Sequence, residues 1–166
     1  MRGFAAIPDA PSYVLANATL PGALVEARAL TGGEDGLCRA DIIVAEGRVE
    51  RIDPPGASAR TELPRLDLDG GMVWPCFADM HTHIDKGHIW PRKRNADGTF
   101  MSALLAVCKD REARWSAEDV RRRMEFSLRS AHAHGTSLLR THIDSTAPQH
   151  LVSWPVFAEV RDRWAE

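Results

Sequence analysis

The stretch "WPCFADMHTHIDKGHIW", Trp74 to Trp90, ends an apolar run in two imidazoles one residue apart, His81 and His83, with Asp79 and Asp85 on either side. The run "MVWPCFADMH" has the composition of a strand buried on both faces, as in parallel sheets. Side chains at i and i+2 of a strand share a face, so His81 and His83 point the same way and can converge on one ion. The chain has only seven histidines in 166 residues, so the pair does not follow from a histidine-rich composition. Neutral imidazole is a common zinc ligand and also takes iron, manganese or nickel. A bare pair at this spacing also occurs as an ordinary surface or core feature. Its position at the C-terminal end of a strand is where parallel sheets build their sites. Asp79 and Asp85 fall on the same side and could each orient an imidazole through its second nitrogen.

The flanking sequence sets the fold class. From about Ser12 to Asp69 the runs are short and β-like, "SYVLANATL" and "ADIIVAEGRVERID", separated by turn chemistry at Pro21-Gly22 and Gly32-Gly33. The second run predicts a hairpin turning at Glu46-Gly47. The character changes at Gly70-Gly71. The strand ending in His83 is followed by a polar loop and the helical pattern "TFMSALLAVCKDREARW". A second helix then has Ser116 as N-cap, Glu118 and Asp119 in its first turn and Gly135 as its stop. Val120, Met124, Leu128 and Ala131 recur on it at steps of three to four, which leaves Arg121, Arg122, Arg123 and Arg129 for a solvated face. "TSLLRTHID" is a second strand ending in His142 and Asp144, with Arg140 before them, and "PQHLVSWPVFAEVRDRWAE" starts another helix. Strand, helices, strand, helix is the opening of an α/β fold with a parallel sheet.

Composition narrows the function classes. With 44% hydrophobic and 27% charged residues the chain has the profile of an ordinary globular protein. A net charge of -2 with mixed signs gives no basic stripe, so nucleic acid is not expected as a partner. The N-terminus carries no secretory signal pattern, and no run approaches the roughly 18 apolar residues of a membrane span. The expected location is cytoplasmic, with no membrane partner. Cys38, Cys76 and Cys108 are odd in number and lack a CxxC pairing, and are read as reduced thiols filling the core.

The segment "MVWPCFADMHTHIDKG" resembles the first barrel strand of the amidohydrolase superfamily, in which a Pro-Gly-Phe-like run leads through an acidic residue to HxH. Cys76 stands where that pattern has Gly. With "HTHIDKGHIWPR", "DGTF" and "RTHID", the resemblance narrows to the cytosine deaminase group and runs from about Leu66 to the end of the chain. It implies the first part of a (β/α)8 metal-dependent hydrolase barrel preceded by a small β-sandwich unit. Residues 1–70 would be the N-terminal part of the sandwich and residues 71–166 the start of the barrel with its first two strands. A complete barrel takes about 250 residues, so the chain looks like the N-terminal portion of a longer enzyme.

The resemblance also implies one divalent metal ion, Zn2+ or Fe2+, with His81 and His83 as direct ligands. The further ligands and the proton-shuttling glutamate are expected beyond Glu166, so the catalytic groups are not assigned here and this piece alone is expected to be inactive. Phe100 in "DGTF" falls where the group places an apolar residue over the substrate ring, and otherwise reads as a core-facing residue at a helix start. Asp79, Asp85, His142 and Asp144 are candidates for the second layer around the metal or the pocket lining, with a satisfied buried network as the alternative for His142 and Asp144. Lys86, His88 and Trp90 would shape the mouth of the site, and His132 and His134 would serve the helix end.

The implied activity is hydrolytic deamination of a nitrogen heterocycle, cytosine or a related aminopyrimidine, aminopurine, pterin or triazine. Metal-activated hydroxide would attack the amine-bearing ring carbon and release ammonia. One alternative is a cyclic amide or imide hydrolase of the dihydroorotase-like kind. Another is a short non-catalytic module for binding or assembly. The partner is a small heterocycle in the first two readings, and self-association into a homo-oligomer stays open in all three.

Overall fold

The structure, a computed structural model, describes residues 6–26, 30 and 32–165. Residues 1–5, part of the stretch read above for a targeting signal, lie outside the described residues, as does Glu166. The chain divides into two compact units, Met1–Pro75 and Cys76–Glu166.

The first unit is a four-stranded sheet. Its strands are β1 (Ser12–Pro21), β2 (Leu37–Ala45), β3 (Arg48–Asp53) and β4 (Arg65–Asp67), in the order β3-β2-β1-β4. β2 and β3 form the expected antiparallel hairpin, with Ala45 opposite Arg48 and a two-residue turn in which Glu46 (φ 49°) and Gly47 (φ 72°) are both left-handed. Two positive φ values at the centre of a hairpin match the twist of the flanking strands. β4 lies parallel to β1, and the ladder continues past it: Val73 N–H donates to Thr19 O at 2.9 Å. The unit therefore runs past the expected boundary at residue 70, because residues 68–73 still find their backbone partners on β1.

β1 carries a bulge that the alternation of its residues hides. Leu15 pairs with Ile42 and Ala18 with Ala40, so β1 spends three steps where β2 spends two. Asn17 takes the extra place at φ 53°, a conformation Asn tolerates better than most residues. Its N–H donates to Asp41 Oδ1 at 3.0 Å and its side-chain amide to Asp67 Oδ1 at 2.9 Å. Val14 and Ala16 pack with Ile43 on one face, while Ala18 and Leu20 join Cys38, Ala40, Ile42 and Val44 on the other. Burying both faces of β1 and β2 is what makes these two strands so apolar.

Asp41, fully buried, closes this unit from inside. Its carboxylate accepts from the Ser58 hydroxyl, from Gly56 N–H at 3.2 Å and from Arg65 Nη2 at 3.3 Å. Burial works to raise the pKa of this carboxyl, but Ser58, the Asn17 N–H and Arg65 outweigh it and hold the group below the usual carboxylate range.

The second unit pairs β5 (Phe77–Thr82) with β6 (Thr136–Thr141) in parallel, with α1 (Phe100–Arg114) and α2 (Ala117–Ala133) between them in sequence and α3 (His150–Trp164) after. Thr99 caps α1 by accepting from Ser102 N–H, and Ser116 caps α2 by accepting from Asp119 N–H, both at 3.2 Å. Gly135 (φ 84°) ends α2 as predicted, its N–H returning to His132 O at 3.0 Å. The core joins Val120 and Met124 of α2, Val156 and Val160 of α3, Trp115 and Ile84, with Leu128, Leu139 and Ile143 around them.

Three expectations are corrected here. β5 is not buried on both faces, since Phe77 is 55% exposed and Leu138 beside it on β6 is 61% exposed. Among the described residues β5 pairs with β6 alone in its sheet, and the core takes in one face of β6 through Leu139. The arginine run is not all solvated, because Arg123 is only 6% exposed. Cys76 is exposed and Cys108 half-buried, so only Cys38 fills a core.

Candidate functional site

The carboxyl ends of β5 and β6 are tied together by backbone. His142 N–H donates to Thr82 O at 2.8 Å, and Ile84 N–H donates to Thr141 Oγ1 at 3.2 Å. This lacing sets His142 beside the HxH pair. The ring centroids lie 5.5 Å apart for His81 and His83, 4.4 Å for His81 and His142, and 5.5 Å for His83 and His142. Burial first, and then the neighbouring His81, Arg140 and His83, hold His142 below the usual imidazole range. Among the described residues no group of three or more His, Cys, Asp or Glu closes as a complete metal site.

The acidic residues divide their work differently from expectation. Asp79 accepts from the backbone N–H of His81 at 3.0 Å, two residues along its own strand, and serves the chain rather than an imidazole. Asp85 is fully buried and accepts Asp144 N–H on Oδ2 at 3.0 Å, so it joins the loops that follow the two strands. Burial raises its carboxyl above the usual range. Asp144 is the carboxylate that faces a ligand candidate. It lies 3.5 Å from His83 Nδ1, within ion-pair range but outside a hydrogen bond, and it takes two bonds from Lys86 Nζ at 3.0 and 3.1 Å. With Nδ1 turned to Asp144, Nε2 is the nitrogen His83 has left to offer an ion.

Phe100, at the first position of α1, is 78% exposed, so it is not the core-facing residue of its alternative reading. His88 stacks edge-on against Phe126 at 4.7 Å, and Trp90 is exposed. His134 bonds Ser130 O through Nδ1 at 2.7 Å, the helix-end role expected of it.

No family model matches the chain. It is 58% identical over 164 residues to a pterin deaminase of Rhizobium rhizogenes (strain K84 / ATCC BAA-868), a match that covers 98% of this chain and 37% of that protein. The structure superposes on 5-methylcytosine deaminase from Klebsiella pneumoniae liganded with 5-fluorocytosine at a TM-score of 0.65 and 21% identity, covering 90% of this chain and 33% of the other. The same deaminase liganded with phosphonocytosine gives a TM-score of 0.63 over 92% of this chain. The chain is similar to part of these deaminases and shares the mixed α/β fold of the superposed one over most of its own length. The chain spans about a third of the length of the relatives it matches.

Arg123 is the site neighbour that sequence reading missed. Its guanidinium donates to the carbonyl of Asp85 and, at 3.5 Å, to that of Gly87, in the loop directly after His83. A signal was present: position 123 is three residues after Val120 and adjoins Met124, so it projects to the apolar side of α2. Three arginines in a row read as surface charge and masked it.

Proposed function

We propose that the protein of which this sequence is part hydrolyses the exocyclic amine of a nitrogen heterocycle, with a pterin as the first substrate class to test. The observation that carries the reading is the convergence of His81 and His83, with His142 beside them, at the carboxyl ends of paired parallel strands. The 58% identity to a pterin deaminase favours the pterin over a cytosine. The architecture that goes with it is the opening of a (β/α)8 barrel, with β5 and β6 as its first two strands and residues 1–75 contributing to a β-sandwich.

The donor set suits a divalent ion. His83 Nδ1 is buried with no hydrogen-bond partner and faces a carboxylate, and neutral imidazoles with a carboxylate behind them are ligands for zinc or iron. His81 and His83 would hold the ion, whose chemistry when bound is to make water acidic enough to supply hydroxide near neutral pH. Asp144 orients the His83 ring, and Lys86 holds Asp144 in place through two bonds. His142, whose pKa burial and its neighbours hold down, offers a polar edge at the ends of the two strands. In the net reaction water adds at the amine-bearing ring carbon, the C–N bond breaks and ammonia leaves.

The test is ammonia release by the purified, zinc- or iron-loaded full-length protein, with pterin, cytosine, 5-methylcytosine and an aminopurine compared at equal concentration. Turnover of the pterin that disappears in His83→Ala supports the reading. A metal-loaded protein that releases ammonia from none of them overturns it.

A further inference from the structure

Arg123 sits at the centre of a buried polar assembly that grips the loop following His83. Besides the carbonyls of Asp85 and Gly87, it bonds Asp119 at 3.0 Å and lies over the Trp115 ring with 4.5 Å between its guanidinium carbon and the ring centroid. Trp115 Nε1 donates to Asp110 Oδ2 at 2.8 Å. Arg92, further along the same loop, forks onto Asp110 at 2.9 and 2.7 Å and onto Asp119 at 2.5 and 3.0 Å. Asp110 belongs to α1 and Asp119 to α2, so both helices hold the loop through charge.

A guanidinium taken out of water needs partners on its N–H groups. Here Nε meets the Asp119 carboxylate, Nη1 is spent on the loop carbonyls, and Nη2 is buried without a hydrogen-bond partner. Beyond those carbonyls the contacts continue toward the imidazoles. Asp85, whose carbonyl Arg123 holds, receives Asp144 N–H on its carboxylate, and Asp144 faces His83. Metal sites are sensitive to how their ligands are oriented from outside.

We propose that Arg123 is a positioning residue for the metal site: by fixing the Asp85 and Gly87 carbonyls it sets the loop on which Asp85 and Lys86 hold Asp144 against His83. The inference rests on His81 and His83 being metal ligands.

The test compares Arg123→Met and Arg123→Lys with Arg121→Met in the full-length protein. Arg121 is two residues away on α2, on another side of the helix, and pairs with Glu118 and Glu159 instead. Zinc affinity is measured by competition with a chromophoric chelator, and the melting temperature is measured with and without zinc. The expected result for Arg123→Met is a dissociation constant for zinc raised about tenfold and a smaller zinc-induced rise in Tm. Arg123→Lys should fall between it and the wild type, and Arg121→Met should match the wild type. A merely structural arginine would lower the Tm with and without zinc alike and leave the affinity unchanged, which overturns the proposal. If Arg123→Met does not fold, Arg123→Lys decides on the same two readouts. A wild-type protein that binds no zinc, iron or manganese sinks the metal reading itself, whatever the variants do.

Discussion

The Asp144 carboxylate lies 3.5 Å from His83 Nδ1 and is held there by two bonds from Lys86 Nζ, at 3.0 and 3.1 Å. On the proposed metal reading, Asp144→Ala removes the carboxylate behind His83 and is expected to weaken metal retention about 10–100-fold. Lys86→Ala leaves the carboxylate but frees it to turn away, so a smaller loss is expected. The measurement is the metal remaining after a graded chelator challenge. Equal retention in Asp144→Ala and wild type would count against an orienting role.

His81→Ala or His83→Ala should each strip most of the bound divalent metal, as read by elemental analysis of the purified protein. His132→Ala and His134→Ala should not, because these residues stand at the far end of α2, where His134 caps Ser130 O. Comparable loss in all four would point to non-specific binding by surface imidazole. Removing the metal from the wild type with a chelator should abolish deamination, and adding back zinc or iron should restore it.

Asp41 gives the first unit a pH-dependent component of stability. Its folded pKa is below the unfolded one, so the contribution is complete above the usual carboxylate range and fades as pH falls through the lower, folded value. Asp41→Asn keeps the size, loses the charge that Arg65 and Ser58 address, and is expected to destabilise by about 1–3 kcal/mol at neutral pH. Urea unfolding of both proteins should show that gap narrowing as pH is lowered past the usual carboxylate range. A gap that stays constant down to about pH 2 would assign the loss to packing instead.

Asn17 separates two contributions that one substitution would mix. Asn17→Gly keeps the left-handed backbone cheap and loses the bond to Asp67, a cost of about 0.5–1.5 kcal/mol. Asn17→Ala loses the same bond and adds about 1–2 kcal/mol for a Cβ in that conformation. Denaturant midpoints should therefore rank wild type above Gly and Gly above Ala. The reverse order for the two variants would mean that the bulge moves to a neighbouring residue.

The features legible from sequence were those set within a few residues. The Glu46-Gly47 turn needs two adjacent residues that accept positive φ. The caps of α2 need Ser116 before Asp119 and a glycine at 135. The HxH pair needs only the two-residue repeat of a strand, and its likeness to amidohydrolases lay in a short run of letters. The features that escaped depend on what lies across space. Asp79, Asp85 and Asp144 are equivalent as letters. The donors nearest to each, the His81 N–H, the Asp144 N–H and the Lys86 ammonium, decide which of them is left to face an imidazole. Arg123 escaped because the charge of three consecutive arginines obscured the helical projection of one. The exposure of β5 escaped because an apolar run shows that a strand is suited to burial and does not show what covers it.

The bulge at Asn17 acts on β1 as a change of phase. Val14, Ala16, Ala18 and Leu20 keep an even count along the sequence, yet the first two and the last two look in opposite directions. A regular strand of the same length would keep every hydrophobic letter in place and turn Ala18 and Leu20 toward the wrong side, whereas dropping the extra residue would bring Ala18 opposite Ala40 in plain alternation. At this point the length of the chain carries as much structural information as its composition.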